Sequence, residues 1–178
     1  MKRILAVLMV GGLALTLAAC QTTPAKPALR TVAKVDLPRF MGDWYVIAHI
    51  PTFIEKGAYN AVESYRLDAE GNIATTFKFN QDALDGPLKT YTPKGFVRNT
   101  ASNAEWGMQF IWPVKAEYLI VYLDEQYQHT IVAREQRDYV WILARTPHIA
   151  AADYESLTER VRNMGYEMSL LRRVPHQQ

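Results

Sequence analysis

Ile73-Ala74-Thr75-Thr76-Phe77-Lys78-Phe79-Asn80 alternates with a period of two, Ile73, Thr75, Phe77 and Phe79 on one face and Lys78 on the other. Successive side chains of a pleated strand point to opposite faces, so the pattern predicts a strand with one face against an apolar interior. Just before it, Asp68-Ala69-Glu70-Gly71-Asn72 reads as a reversal, with Gly71 free to take a positive φ. Similar short runs recur on either side: residues 44–50, 59–68, 88–98, 106–111, 118–124, 129–134 and 139–146, which with 73–80 make eight. Pro93 interrupts the fourth run and predicts a bulge or bend. One helix follows, because Tyr154, Leu157, Val161 and Met164 share a face and Gly165 stands where a C-cap glycine belongs; no side chain suited to an N-cap directly precedes Ala150. A last short strand is expected over 167–172. Strands at this spacing suit a barrel or sandwich, and closure removes exposed sheet edges while one helix covers a wall. The expected fold is all-β: an eight-stranded antiparallel up-and-down barrel with one C-terminal α-helix packed outside.

Charged positions orient the strands. Arg66 in water turns Ala61, Glu63, Tyr65 and Leu67 inward; Lys78 outward puts Thr75, Phe77 and Phe79 inside. Gln109 outward leaves Trp106, Met108 and Phe110 inside, and Arg98 outward leaves Gly95 and Val97. In the first strand Trp44, Val46 and Ala48 are assigned inward and His49 outward, with Tyr45 and Ile47 toward the helix. Residues 118–123 are apolar on both faces, so alternation does not orient them. The expected lining is large, aromatic and mostly uncharged. Its exception, Glu63, either receives a ligand's polar head or takes a structural hydrogen bond from a neighbour such as Tyr65.

The N-terminus has the layout of a secretory signal: Lys2 and Arg3, then the uncharged run from Ile4 to Leu17. Those 14 residues fall short of the roughly 20 that span a bilayer. Residues 1–19 are read as the signal, 20–34 as a spacer with Pro24 and Pro27, and 35–178 as one domain. The chain has 20 basic and 18 acidic residues; removing Lys2 and Arg3 with the signal leaves 18 of each. The mature part is therefore electrically balanced and gives no footprint for a nucleic-acid partner. Cys20 is the only cysteine, so a buried core and not disulfides must hold the fold.

Two resemblances sharpen this reading. Leu17-Ala18-Ala19-Cys20 resembles the bacterial lipobox, which implies a diacylglycerol thioether on the Cys20 sulfur, cleavage before Cys20 and acylation of the new amino group. Stable attachment needs two or more acyl chains, which a triacylated Cys20 supplies. By the same resemblance, Gln21 rather than Asp after the cysteine is compatible with the periplasmic face of an outer membrane. Further along, Gly42-Asp43-Trp44, Leu123-Asp124-Glu125-Gln126-Tyr127 and Asp138-Tyr139-Val140-Trp141-Ile142-Leu143-Ala144-Arg145-Thr146-Pro147 resemble, in order, the motifs of the lipocalins, and the likeness extends from Pro38 to Arg172. Alternating hairpins put Trp44, the 123–127 turn and Arg145 at one end, where Arg145 can lie across the Trp44 indole for roughly 0.5–2 kcal/mol. Gly42, Trp44 and Arg145 are thus structural. The opposite mouth carries Pro51-Thr52-Phe53-Ile54 and Ile111-Trp112-Pro113-Val114, a gate for an apolar ligand, a membrane contact, or a self-packed lid.

No catalytic motif, phosphate loop or dinucleotide fingerprint occurs, and His49, His129, His148 and His176 have no metal-ligand spacing. No catalytic residue, metal or cofactor is expected. The resemblance implies a membrane-anchored lipocalin that holds an apolar ligand, such as a fatty acid or lysophospholipid, for storage or transport in the cell envelope; a homodimer is left open. The ligand-binding expectation names Val46, Ala48, Ala61, Glu63, Tyr65, Phe77, Phe79, Val97, Trp106, Met108 and Phe110. Other readings are an enzyme on an apolar substrate, a pigment or haem binder using an inward His or Tyr, and a structural envelope module.

Overall fold

The computed structural model describes residues 26–177. The signal, Cys20 and the first part of the spacer lie outside the described residues. A single turn, α1 (Leu37–Phe40), opens the domain: the Asp36 side chain accepts from the Arg39 amide and Pro38 occupies the first turn. The sheet follows as β1 (Gly42–Ile50), β2 (Ala58–Leu67), β3 (Ile73–Gln81), β4 (Leu88–Tyr91), β5 (Lys94–Val97), β6 (Glu105–Ile111), β7 (Val114–Leu123), β8 (His129–Ala133) and β9 (Val140–Ala144). Neighbouring strands pair antiparallel and β9 pairs back onto β1, closing the barrel. The expected fourth strand is present as two pieces, β4 and β5, both paired to β3 and separated at Pro93, whose carbonyl accepts from the Thr75 amide. Counted as one stave, they give the expected eight.

The helix is α2 (Ala151–Asn163), with Leu157 and Val161 buried against the wall, no side-chain cap at Ala150, and Gly165 at φ 84° just past its end. Full burial of such side chains contributes about 1.5–3 kcal/mol each. The strand expected over 167–172 is instead a 3₁₀ turn, Met168–Leu170, and a two-residue β10 (Arg172–Arg173). The cause is local: Glu167 accepts from both the amide and the hydroxyl of Ser169, which favours the turn. β10 takes up pairing with Ala48 and His49 of β1, where β2 no longer reaches. Val174 donates to the Ile47 carbonyl, the Asn60 amide donates to the Pro175 carbonyl, and Val174 packs into the barrel interior. The C-terminal tail therefore fills the upper seam between β1 and β2.

Residues 26–34 lie on the barrel and do not form a free spacer. Lys26 donates to the Gly165 carbonyl, Leu29 to the Glu135 carboxylate, and Val32 to the Ile120 carbonyl. Bonding to the fold overrides the Pro-rich composition that suggested a spacer.

One end of the barrel is closed by a cluster around Arg145. Its guanidinium carbon lies 3.9 Å from the Trp44 ring centroid. Its nitrogens donate to the carbonyls of Asp43 (2.8 Å), Arg39 (2.8 Å), Phe40 (3.1 Å) and Tyr127 (3.2 Å). Two of those carbonyls end α1, so Arg145 caps a helix whose last peptide oxygens have no intrahelical partner. Gly42, at φ 95°, passes so close that a Cβ there would meet the Arg145 guanidinium at 3.4 Å. The 123–127 turn joins in: Tyr127 accepts from the Asp36 amide and lies under Arg39, 4.0 Å from its ring centroid. Arg145→Met is expected to cost about 2–4 kcal/mol, as the cation–π contact and several charge-assisted bonds are lost together. Urea unfolding checks this, and a shift below about 1 kcal/mol would place little weight on the cluster.

Candidate ligand-binding site

The barrel interior has a filled lower half and an apolar upper half. Phe40 of α1 rises into the closed end against Trp44 (4.9 Å between centroids) and Trp106 (5.4 Å), and Trp106 stacks on Tyr118 at 5.1 Å. The two indoles donate to the Phe40 and Asn103 carbonyls. Above this layer stands a polar floor: Tyr65 donates to Glu63, and the hydroxyls of Tyr65 and Tyr118 are 2.6 Å apart. Burial raises the Glu63 pKa to about 8, with Glu55 adding repulsion. It also raises that of Tyr118, with Glu63 repulsion second. A neutral Glu63 is the form this interior accommodates.

The walls above the floor come from Val46, Ala61, Phe77, Phe79 and Met108, none more than 5% exposed. Phe77 and Phe79 pack at 5.2 Å, and Tyr91 stacks on both. Val97 is half-buried against the same cluster. These side chains are packed against one another and closed to solvent. Part of the seal is the β1–β2 loop: Glu55 accepts from the Thr52 amide and hydroxyl with one oxygen and from the Trp141 indole at 2.7 Å with the other.

Among the sequence-derived lining residues, Val46, Ala61, Glu63, Tyr65, Phe77, Phe79, Val97, Trp106 and Met108 are inside, with Tyr65 and Trp106 in the filled half. Two are not. Ala48 belongs to the cluster under α2, because a register shift between Val46 and Ala48 reverses the alternation of β1. Phe110 is 47% exposed at the rim, touching the Tyr91 ring edge, since β6 shifts register beyond Met108 and runs past the wall. The same bulge overturns the outward assignment of His49. It pairs with the inward Trp141, is 4% exposed, and its Nδ1 has no hydrogen-bond partner. Burial lowers its pKa, with the Glu55 charge acting in the opposite sense. Tyr118 is an interior member that alternation left unassigned; the facing Trp106 in the β6–β7 register fixes it.

This architecture has known counterparts. The lipocalin-like domain family matches residues 35–176, from the residue before the α1 cap to the tail that fills the seam. The chain belongs to the lipocalin family. It is 28% identical over 169 residues to the outer membrane lipoprotein Blc of Citrobacter freundii, covering 95% of each protein. It is also 28% identical over 165 residues to temperature-induced lipocalin-1 of Arabidopsis thaliana, covering 84% of each. Among solved structures, insecticyanin of the tobacco hornworm Manduca sexta superposes with a TM-score of 0.67 at 15% identity, over 85% of this chain and 86% of that one. That likeness confirms the barrel alone.

The floor of this lipocalin has a pH signature. Folded Glu63 holds its proton up to about pH 8, whereas the unfolded carboxyl releases it near 4.5. Between those values the folded state binds more protons, so stability falls as pH rises, by up to about 1.4 kcal/mol per unit, and levels off above. Glu63→Gln is expected to flatten this decline. Urea midpoints across pH 4–9 check it, and identical slopes in both proteins would contradict a protonated floor.

Proposed function

We propose that this lipocalin holds an acyl chain, as a fatty acid or lysophospholipid, in the upper half of its barrel, attached through a lipidated Cys20 to the periplasmic face of an outer membrane. Storage or transport of lipid in the envelope follows from that placement. The observation that carries the ligand reading is the wall of Val46, Ala61, Phe77, Phe79 and Met108, apolar and uncharged above the Glu63 floor. Membership of the lipocalin family supports a small apolar ligand, and the similarity to an outer membrane lipoprotein supports the location. Each methylene buried contributes about 0.8 kcal/mol, so a long chain binds without a dedicated headgroup site.

Because the wall side chains are packed together, entry requires the mouth to open and the Phe77, Phe79 and Tyr91 rings to part, and Glu55 ties the β1–β2 loop to Trp141. Displacement of a fluorescent fatty acid by unlabelled fatty acids and lysophospholipids tests the reading: saturable binding is expected, and Phe77→Asp should abolish it while circular dichroism stays unchanged. No saturable binding at any chain length would overturn it. Glu55→Ala removes the bond to Trp141 and is expected to speed ligand association several-fold in stopped-flow mixing, with a smaller change at equilibrium.

A pigment or haem reading has one observation in its favour, the inward His49 with its unpartnered Nδ1. A Soret band on haemin titration that His49→Ala removes would establish it in place of the lipid reading.

A further inference from the structure

Seven of the eight large apolar side chains exposed among the described residues lie at one end of the barrel. Phe53 (79%) is on the β1–β2 loop, Leu84 and Leu88 border the β3–β4 loop, and Phe110, Ile111 (72%), Trp112 (83%) and Val114 (66%) form the β6–β7 hairpin tip. By hairpin alternation these three loops lie at the end opposite the turn that Arg145 bonds, so together they lie on the rim of the mouth. An apolar patch of this kind on an otherwise polar surface marks a partner that is itself apolar. The exposed charges beside it, Lys56, Lys89 and Lys115 against Asp82 and Asp85, leave little net charge. Apolar area therefore decides what the rim binds.

The course of the N-terminal segment says what that partner is. Val35 donates to the Ser102 carbonyl and Asp36 to Tyr127, both at the closed end. Traced backwards, the segment passes Ile120 at Val32 and reaches the mouth end, where Leu29 bonds Glu135 in the β8–β9 loop, Pro27 accepts from Arg137, and Lys26 bonds Gly165 beyond the far end of α2. The chain thus enters the domain beside the rim. Cys20 is six residues before Lys26, a length that reaches at most about 20 Å. An anchor this close to the mouth presents the rim, not the closed end, to its bilayer.

We infer that the mouth of the barrel docks face-down on the bilayer that holds the N-terminal anchor, with Phe53, Ile111, Trp112 and Val114 inserted among the lipids. Ligand then passes between the bilayer and the lumen without crossing water. The indole of Trp112 suits the headgroup boundary, where an amphipathic ring has both an apolar and a polar side. This docking rests on the membrane attachment proposed above, and the experiment separates the two.

The mature chain with its native N-terminus is reconstituted in phosphatidylethanolamine–phosphatidylglycerol vesicles, at high lipid excess. Trp112→Phe, an exposed and conservative change, isolates the emission of Trp112 by difference. The expected result is a blue-shifted Trp112 signal, quenched by lipids brominated on the upper acyl chain and several-fold less accessible to aqueous iodide than free tryptophan amide. Co-flotation with vesicles while iodide still reaches Trp112 freely would overturn the docking and leave the attachment standing. Failure to float would overturn both. Iodide protection that disappears as protein is diluted into more lipid would mark the rim as a contact between copies, and would overturn the docking equally.

Discussion

A single guanidinium ties together the elements that define the barrel. Arg145 leaves the end of β9, covers the indole at the start of β1, caps α1 and takes the carbonyl of the turn between β7 and β8. Each of these elements lies at the same end, and each would otherwise leave peptide oxygens without partners in a half-buried place. With them satisfied, Phe40 is fixed as the keystone of the aromatic layer, on which the Glu63 floor and the apolar wall of Val46, Phe77 and Phe79 are built. The division between a polar-bonded, aromatic base and an apolar mouth follows from where this one cation sits.

The upper barrel depends on irregularities, not on regular alternation. The bulge after Val46 points Ile47 and Ala48 together toward α2 and sends His49 inward. It serves both faces of the wall: the helix gains a flat apolar seat, and the lumen gains an imidazole near Glu55 and Trp141. A strictly alternating β1 would have put a small alanine inside and a histidine beneath the helix. Placing a buried imidazole and two carboxyls in one interior has a cost, visible in the raised pKa of Glu63 and the lowered one of His49.

The fold was legible because its determinants are local: Ile73 to Asn80 announce their faces by alternation, Pro93 marks its own interruption, and Gly165 its helix end. The closed end was legible through three motifs whose order matches hairpin geometry. What escaped the sequence were register shifts, since one extra residue in a strand leaves no compositional trace yet exchanges inside and outside beyond it. Ala48, His49 and Phe110 all lie past such shifts. Tyr118 escaped for another reason: with both faces of its strand apolar, only the partner across the ladder decides. α1 had a visible signature in Asp36 and Pro38, but a four-residue helix has no periodicity to detect. The docking of residues 26–34 depends on contacts more than a hundred residues away, such as Leu29 with Glu135, which composition does not encode.

The seam filled by the tail has a consequence for how the molecule comes into being. Between β1 and β2 the upper wall is completed only by Arg172 to Val174, more than a hundred residues along the chain from the strand they pair with. Until they arrive, the staves can assemble but the vessel has a slit along its side. Closure of the wall therefore waits on a segment remote in sequence, and a polypeptide cut short before Arg172 keeps an open seam however well its other strands have paired.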